Sequence, residues 1–391
     1  MDLQNDKGMK ILYLSRPSYG DCDFPLIKAL MGLGHEVVSL YHIAPYEMHK
    51  TIFDIGVLKP YSRIYPASQY EDFVRLHNYL SLDNFYIAND TTGKIGWKSI
   101  MLAVREVLFI KNAKPDIINV VGAPGILLSC FLWLFRKKLV VVIHDGKPHT
   151  GEGNMRGQLI RILMKTYVRK YIFLNEGERV VFSKEYGVSM EKLYCSRLGY
   201  YDILSCYGNS KTKELSGEYV LFCGRVSPYK GIEYLLEAMT IVHETWPNMK
   251  VIIAGKGKYY FDITQYEKLD YVTFMNRYVT MDELADLING ALFTICPYTD
   301  ATQSGVIFSS FALNKPVIAS SVGGIPDVVE QNKTGILVPP KDAKALSMAI
   351  LKCLNNREFL HELSCNIKRN TMEGKWAWHN IALEYVKIYQ S

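Results

Sequence analysis

A chain of 391 residues, 49% hydrophobic and 21% charged, is too long for one ordinary core and too apolar for a disordered or fibrous polymer, so two globular domains are expected. The net charge of +6 falls entirely in Met1–Ser205, where 26 Lys and Arg face 20 Asp and Glu, while the remainder balances at 19 against 19. That excess suits an acidic partner or an anionic membrane as well as a solvated basic surface, and it gives no reason to expect nucleic acid.

Eight cysteines (22, 130, 195, 206, 223, 296, 353 and 365) are scattered without a CxxC pair. That pattern suits neither a zinc site nor a disulfide framework and points to a reducing cytoplasm. Met1 to Lys10 is polar and Ile11 to Leu14 only a strand's length, so no secretory signal is read. The longest apolar stretch, Gly125 to Phe135, is too short to cross a bilayer and stops at Arg136-Lys137-Lys138. The expected location is cytoplasmic, with a peripheral place on the inner face of the cell membrane as an option.

Short β-branched runs alternate with helical stretches along the chain. KILYLS at Lys10–Ser15 reads as a strand, PLIKALMGLGH as a helix and EVVSLY as the next strand; DIINVVG, the apolar segment and LVVVIHD repeat the rhythm. Such repetition predicts a parallel sheet covered by helices on both faces. A second series opens at YVLFCGR, Tyr219–Arg225, and continues through GIEYLLEAMTIVHET, KVIIAG, YVTFMN, MDELADLING and LFTICPY. The polar, Gly- and Ser-rich GYYDILSCYGNSKTKELSGE between the two reads as a linker. The fold class expected is α/β, two doubly wound Rossmann-like domains facing a central cleft, because such sheets bind ligands at the carboxyl ends of their strands.

Two turns in the second series carry chemistry. In GRVSPYKG, Gly224–Gly231, Arg225 ends a strand and Lys230 stands at a helix mouth, an arrangement suited to a diphosphate. Solvated side chains at a strand–helix junction are the plainer alternative. In TQSGVIF, Gly305 and Val306 begin a helix whose amides can face phosphate oxygens, with Gln303 and Ser304 as added donors. A capped helix start is the plainer alternative there. A ligand with two phosphates could bridge both turns.

FCGRVSPYKGIEYLLEAM and SGVIFSSFALNKPVIASSVGGIPDVVEQNKTGILVPPKD resemble the retaining nucleotide-sugar glycosyltransferases of family 4, which have the GT-B fold. MKILYLSRPSYGD, VVVIHDGKPH and WAWHNIALEYVKIY extend the resemblance over nearly the whole chain. It implies an acceptor domain over 1–204, a donor domain over 205–373, and a C-terminal segment, 374–391, whose helix crosses back to the first domain. It implies a nucleoside diphosphate sugar as co-substrate, no separate cofactor and no metal. The acceptor would be a saccharide or lipid-linked hydroxyl and the product a cell-surface polysaccharide, lipopolysaccharide or glycolipid precursor. The alternatives are a non-catalytic sugar-nucleotide-binding scaffold, or another GT-B activity such as nucleotide-sugar epimerisation.

By the same resemblance Arg225 and Lys230 match a diphosphate clamp, beside Gly224, and Gly305 and Val306 match amides facing the donor's phosphate and sugar. Asn276 and Tyr278, in the NRYV segment, match the place that holds the base. Gly20 matches a flexible loop near the phosphates, and His144 an active-site position near the reacting sugar. Two glutamates usual in the family are missing: one position is Ser309, and the other falls near Ala301 and Thr302, with Asp300 out of register. Thr302, Gln303 and Ser304 would then contact the sugar with neutral groups. Lys256–Lys258 replaces a usual acid.

His144, Asp145 and His149 in HDGKPH could hold a metal; sugar contact by His144 and acceptor binding by Asp145 and His149 is preferred, because nothing else completes a metal set. Asp21-Cys22-Asp23 is read as first-turn helix acids rather than a metal site. Arg156–Phe173 carries basic residues at 156, 161, 165, 169 and 170 and reads as an amphipathic helix, packed in the first domain or laid on an anionic membrane.

Overall fold

The structure is a computed structural model that describes residues 8–50, 53–144, 155–208, 217–301 and 304–391. Asp145, His149, Thr302 and Gln303 lie outside the described residues. The chain divides into two compact units, Met1–Gly199 with Trp378–Ser391, and Tyr200–Ala377.

Among the described residues, the main sheet of the first unit has eight strands: β1 (Lys10–Ser15), β2 (Glu36–Ile43), β3 (Arg63–Pro66), β4 (Phe85–Asn89), β5 (Ile117–Val121), β6 (Leu139–Ile143), β7 (Lys170–Phe173) and β8 (Leu193–Cys195). They lie in the order β8-β7-β6-β5-β1-β2-β4-β3, parallel except for the β3–β4 pair. Every residue of β6, LVVVI, is buried, as expected of a parallel strand covered on both faces. Its main helices are α1 (Gly20–Gly32), α2 (Trp97–Ala113), α3 (Ile126–Leu132), α4 (Met155–Met164) and α5 (Glu176–Tyr186). The chain moves across the sheet in one direction from β1 to β2 and in the other from β4 through β5, β6 and β7. Right-handed crossovers therefore put α1 on one face and α2, α3 and α4 side by side on the other. In agreement, α3 packs against both α2 and α4.

Among the described residues, the second unit has six strands: β9 (Tyr219–Cys223), β10 (Lys250–Ala254), β11 (Val272–Met275), β12 (Thr294–Cys296), β13 (Val317–Ser320) and β14 (Gly335–Val338). All are parallel, in the order β11-β10-β9-β12-β13-β14. The main helices are α6 (Ile232–Thr245), α7 (Met281–Gly290), α8 (Gly305–Ala312), α9 (Ala343–Asn355) and α10 (Arg357–Glu373). Strand order reverses between β9 and β12, so the crevice of this doubly wound sheet opens at their carboxyl ends.

The last helix, α11 (Trp378–Gln390), packs on α1 in the first unit. Tyr389 donates to Asn119 Oδ1 at 3.0 Å, Ser196 donates to Glu384 at 2.9 Å, and Lys170 donates to the Ile388 carbonyl at 2.8 Å. The first residue, Trp378, lies flat against the backbone at Gly199, where a Cβ would come within 2.5 Å of its ring.

Three sequence expectations change. α1 starts at Gly20, upstream of the PLIKALMGLGH run, with Asp21 and Asp23 in its first turn as the acids themselves indicated, and Asp23 is tied to hydroxyls of the sheet. Arg156–Phe173 is not one helix: it ends at Met164, and Lys170–Phe173 is the buried strand β7. The linker is not uniformly solvated. Ile203 and Leu204 are buried in a short turn, and the Tyr200 ring meets Phe308 and Phe311 at 6.1 and 5.7 Å between centroids.

Gly199→Val would force its side chain into Trp378. Overpacking of this kind costs about 1–3 kcal/mol, so urea unfolding of the first unit should shift to lower midpoint, with Trp378→Ala in the same chain reducing the added penalty.

Candidate functional site

At the switch point of the second unit, β9 ends at Cys223 and the backbone turns at Gly224, φ +130°, a left-handed setting that disfavours side chains. The Gly224 amide donates to the Ala254 carbonyl at 2.9 Å, and a Cβ on Gly224 would lie 3.6 Å from Val306 Cγ2. The two turns singled out in the sequence are therefore neighbours. A second left-handed glycine, Gly231 at φ +62°, ends the Pro228–Lys230 turn. Its Cβ would sit 2.0 Å from the Pro297 carbonyl oxygen. This close approach seats Lys230 against the segment that follows β12.

Lys230 is only 8% exposed. Its Nζ lies 3.7 Å from the Tyr298 ring centroid and 4.9 Å from that of Tyr229. Burial lowers its pKa; the Cys296 and Cys223 thiols oppose this, and the neighbouring Arg225 cation adds to it. Among the described residues no carboxylate contributes. An ammonium in that position loses hydration worth several kcal/mol, roughly, and the aromatic faces return only about 2 kcal/mol.

The Tyr298 hydroxyl lies 3.2 Å from Ser304 Oγ. Ser304 is the N-cap of α8 but makes no side-chain capping bond. The amides of Gly305 and Val306 thus begin a helix whose first turn is not satisfied by its own cap. Gly305 is exposed, and a Cβ there would lie 3.2 Å from the Tyr201 ring, which stacks on Phe308 at 5.9 Å. One tyrosine, Tyr298, carries Lys230 on its face and the start of α8 at its hydroxyl.

Other expected residues are distributed around this point. Arg225 is exposed at the strand end, close enough to influence Lys230. Ser309 is buried one turn into α8. Asn276 and Tyr278 follow β11, two strands from β9. The Asn276 side chain accepts from the Gly257 amide at 3.0 Å, pinning the Lys256–Lys258 loop. Tyr278 is exposed, and its carbonyl accepts from Arg277, whose guanidinium also makes a two-pronged pair with Glu283 at 2.7 and 2.9 Å. Arg277 first, then the Thr280 amide, hold Glu283 down at about 2 despite some burial.

In the first unit Gly20, expected in a loop, is the first residue of α1. Beside it, the Tyr19 ring is 4.5 Å from that of His144, which follows β6. Burial lowers the His144 pKa to about 4, so its imidazole is neutral near pH 7. Asp23 accepts from Tyr13 at 2.8 Å, from Tyr41 at 2.9 Å and from Ser15. Burial lifts Asp23 to about 7 and Asp21 to about 6, although the hydroxyls act against it on Asp23. Among the described residues no group of three His, Cys, Asp or Glu converges as a metal set.

Sequence reasoning passed over three features. Tyr298 was absorbed into a strand and Tyr201 into a linker, although the Tyr200-Tyr201 doublet was a signal of burial. The third is His42, 3.0 Å from Glu106 and 3.8 Å from Asp90, at the carboxyl ends of β2 and β4. Burial opposes its charge, yet Glu106 and Asp90 raise its pKa to about 9.

The His144 ring should stay neutral by NMR down to about pH 4. Its depressed folded pKa means that the unfolded chain binds the proton first. Its contribution to stability is therefore constant above pH 6.5 and declines as pH falls from 6.5 to about 4. His144→Gln should reduce the loss of stability across that window.

Residues 217–356 match the family model for glycosyl transferases group 1. An uncharacterized glycosyltransferase of Methanocaldococcus jannaschii is 33% identical over 179 residues, 44% of this chain and 44% of that relative. The chain thus aligns with less than half the length of that relative. A second uncharacterized glycosyltransferase of the same organism is 28% identical over 73% of this chain and 81% of its own length. Among solved structures, Anabaena HepE in complex with UDP and glucose superposes with a TM-score of 0.66 at 16% identity, covering 98% of this chain and 99% of that one. Residues 217–356 are thus similar to the group 1 glycosyltransferases, and the likeness to solved structures shows the GT-B fold.

Proposed function

We propose that the protein is a retaining, family 4-like glycosyltransferase that moves a hexose-type sugar from a nucleoside diphosphate sugar to a hydroxyl of a saccharide or lipid-linked acceptor. The observation that carries this reading is Lys230: a buried ammonium with no carboxylate partner among the described residues, on the tyrosine that also meets the start of α8. A diphosphate supplies the missing negative charge. Lys230 and Arg225 meet its oxygens as cations, and the Gly305 and Val306 amides meet them as helix N-terminal donors. The solved relative bound to UDP and glucose has a ligand of that class.

In this reading the bond between the anomeric carbon and the diphosphate oxygen breaks, and the acceptor oxygen bonds to the same carbon on the same face. The acceptor's proton passes to the leaving phosphate oxygen, so no side-chain nucleophile or general acid is required. The protein's contribution is to stabilise charge growing on the leaving group and to fix the geometry of the two substrates. The clamp cations meet the diphosphate charge without a metal. His144, neutral near pH 7, is suited to hydrogen bonding with sugar hydroxyls rather than to carrying charge. The acceptor product would belong to a surface polysaccharide, lipopolysaccharide or glycolipid precursor made in the cytoplasm.

With the donor found by a thermal-shift panel of UDP-, GDP- and ADP-sugars, Lys230→Ala should lower kcat/KM by about 10²–10³-fold, the range for loss of one charge-stabilising donor. Its unfolding midpoint should stay near wild type, because the change also removes a buried charge. Turnover unchanged in Lys230→Ala would overturn the donor-site reading.

A further inference from the structure

The sheet face that carries α2, α3 and α4 has an outer surface that is both apolar and basic. On α2, Trp97, Ile100, Val104 and Leu108 are exposed, at 75%, 38%, 37% and 52%. Their spacing of three, four and four residues puts them in one row on the helix. The opposite side of the same helix buries Leu102, Ala103, Glu106 and Ile110. The exposed row is therefore a second apolar stripe, not the stripe that builds the core. α4 repeats the arrangement, with Leu159 and Ile162 exposed while Ile160 and Met164 are buried. Trp133 and Leu134, in the turn that continues α3, are half exposed as well.

The charge on these elements has one sign. Residues 97–114, 126–138 and 155–165 contain ten Lys and Arg, and their only carboxylate is Glu106. Glu106 is buried and bonded to His42, so it does not reach this surface. Lys98, Lys111 and Lys137 are exposed among the apolar side chains. Arg136 lies over the Trp133 ring at 4.6 Å. The chain's whole excess of positive charge lies in its first half, as the sequence indicates, and this layer carries a large share of it.

We infer that the outer surface of α2, α3 and α4 docks on an anionic phospholipid bilayer. Charge complementarity supplies long-range attraction, about 1 kcal/mol for each Lys or Arg near the surface. The projecting Trp, Leu and Ile side chains supply insertion at the headgroup boundary, with the lysine stems reaching back to phosphate. A nucleic acid would use the cations but leave the apolar row in water. No helix of the described residues is long and apolar enough to cross a membrane, so the docking is peripheral. The placement differs from the sequence reading, which offered membrane contact only as the alternative to packing for one helix over Arg156–Phe173; that segment supplies only α4. The inference does not rest on the donor-site reading, and no sugar or nucleotide enters its test.

Flotation of the full chain with vesicles of phosphatidylcholine, alone or with about 30 mol% phosphatidylglycerol, tests it directly. The chain should partition onto the anionic vesicles about tenfold or more over the neutral ones, with binding lost at high salt. Lys98→Gln with Lys111→Gln should weaken partition about thirtyfold, and Trp97→Ser with Leu108→Ser about tenfold. All four positions are exposed, so thermal melts of both double variants should match wild type. Equal binding to neutral and anionic vesicles overturns the inference, as does partition unaffected by either pair. Binding abolished by the lysine pair but untouched by the apolar pair would assign the surface to an acidic macromolecule and overturn it too.

Discussion

The site depends on a buried cation that has no carboxylate partner among the described residues. Lys230 lies in the apolar floor of the second unit's switch point, on the Tyr298 face and beside two buried thiols. Stability alone would favour an apolar residue of the same volume there, because aromatic faces recover only part of the lost hydration. The left-handed backbone at Gly231, pressed on the Pro297 carbonyl, leaves the preceding side chain little choice of position. An arrangement that is poor for the empty protein is favourable for one that binds an anion, and the open first turn of α8 adds partial positive charge at the same place.

The donor side was legible in the sequence for a topological reason. Both turns follow strands of one parallel sheet, and β9 and β12 are the adjacent strands at which the order reverses. Residues in their carboxyl-end loops must converge, as Gly224 and Val306 do. The strand–helix alternation likewise indicated two parallel-sheet units, while the return of α11 to the first unit was implied only by the family resemblance. What was not legible were side chains whose role depends on contacts distant in sequence. Tyr298 looks like the end of a strand until its ring is found under Lys230. Tyr201 looks like linker until it is found stacked on Phe308 and lying over Gly305.

The first unit was read less fully because its polar groups are internal. Asp23 resembles a first-turn helix acid by position, yet it serves three hydroxyls on β1 and β2 and fixes the start of α1. The pairing of His42 with Glu106 and Asp90 joins three separate elements and has no local signature. The outer row on α2 was missed for the opposite reason. A helix with apolar residues on both sides reads as simply buried, and only the structure separates the stripe that packs from the stripe that does not.

The most direct measurement is the position of the phosphates in a crystal structure with bound UDP. Phosphate oxygens are expected at about 2.7–3.2 Å from Lys230 Nζ and from the Gly305 or Val306 amide in the same complex. UDP bound with its phosphates away from either group, leaving Lys230 on Tyr298 with no anion, would contradict that expectation.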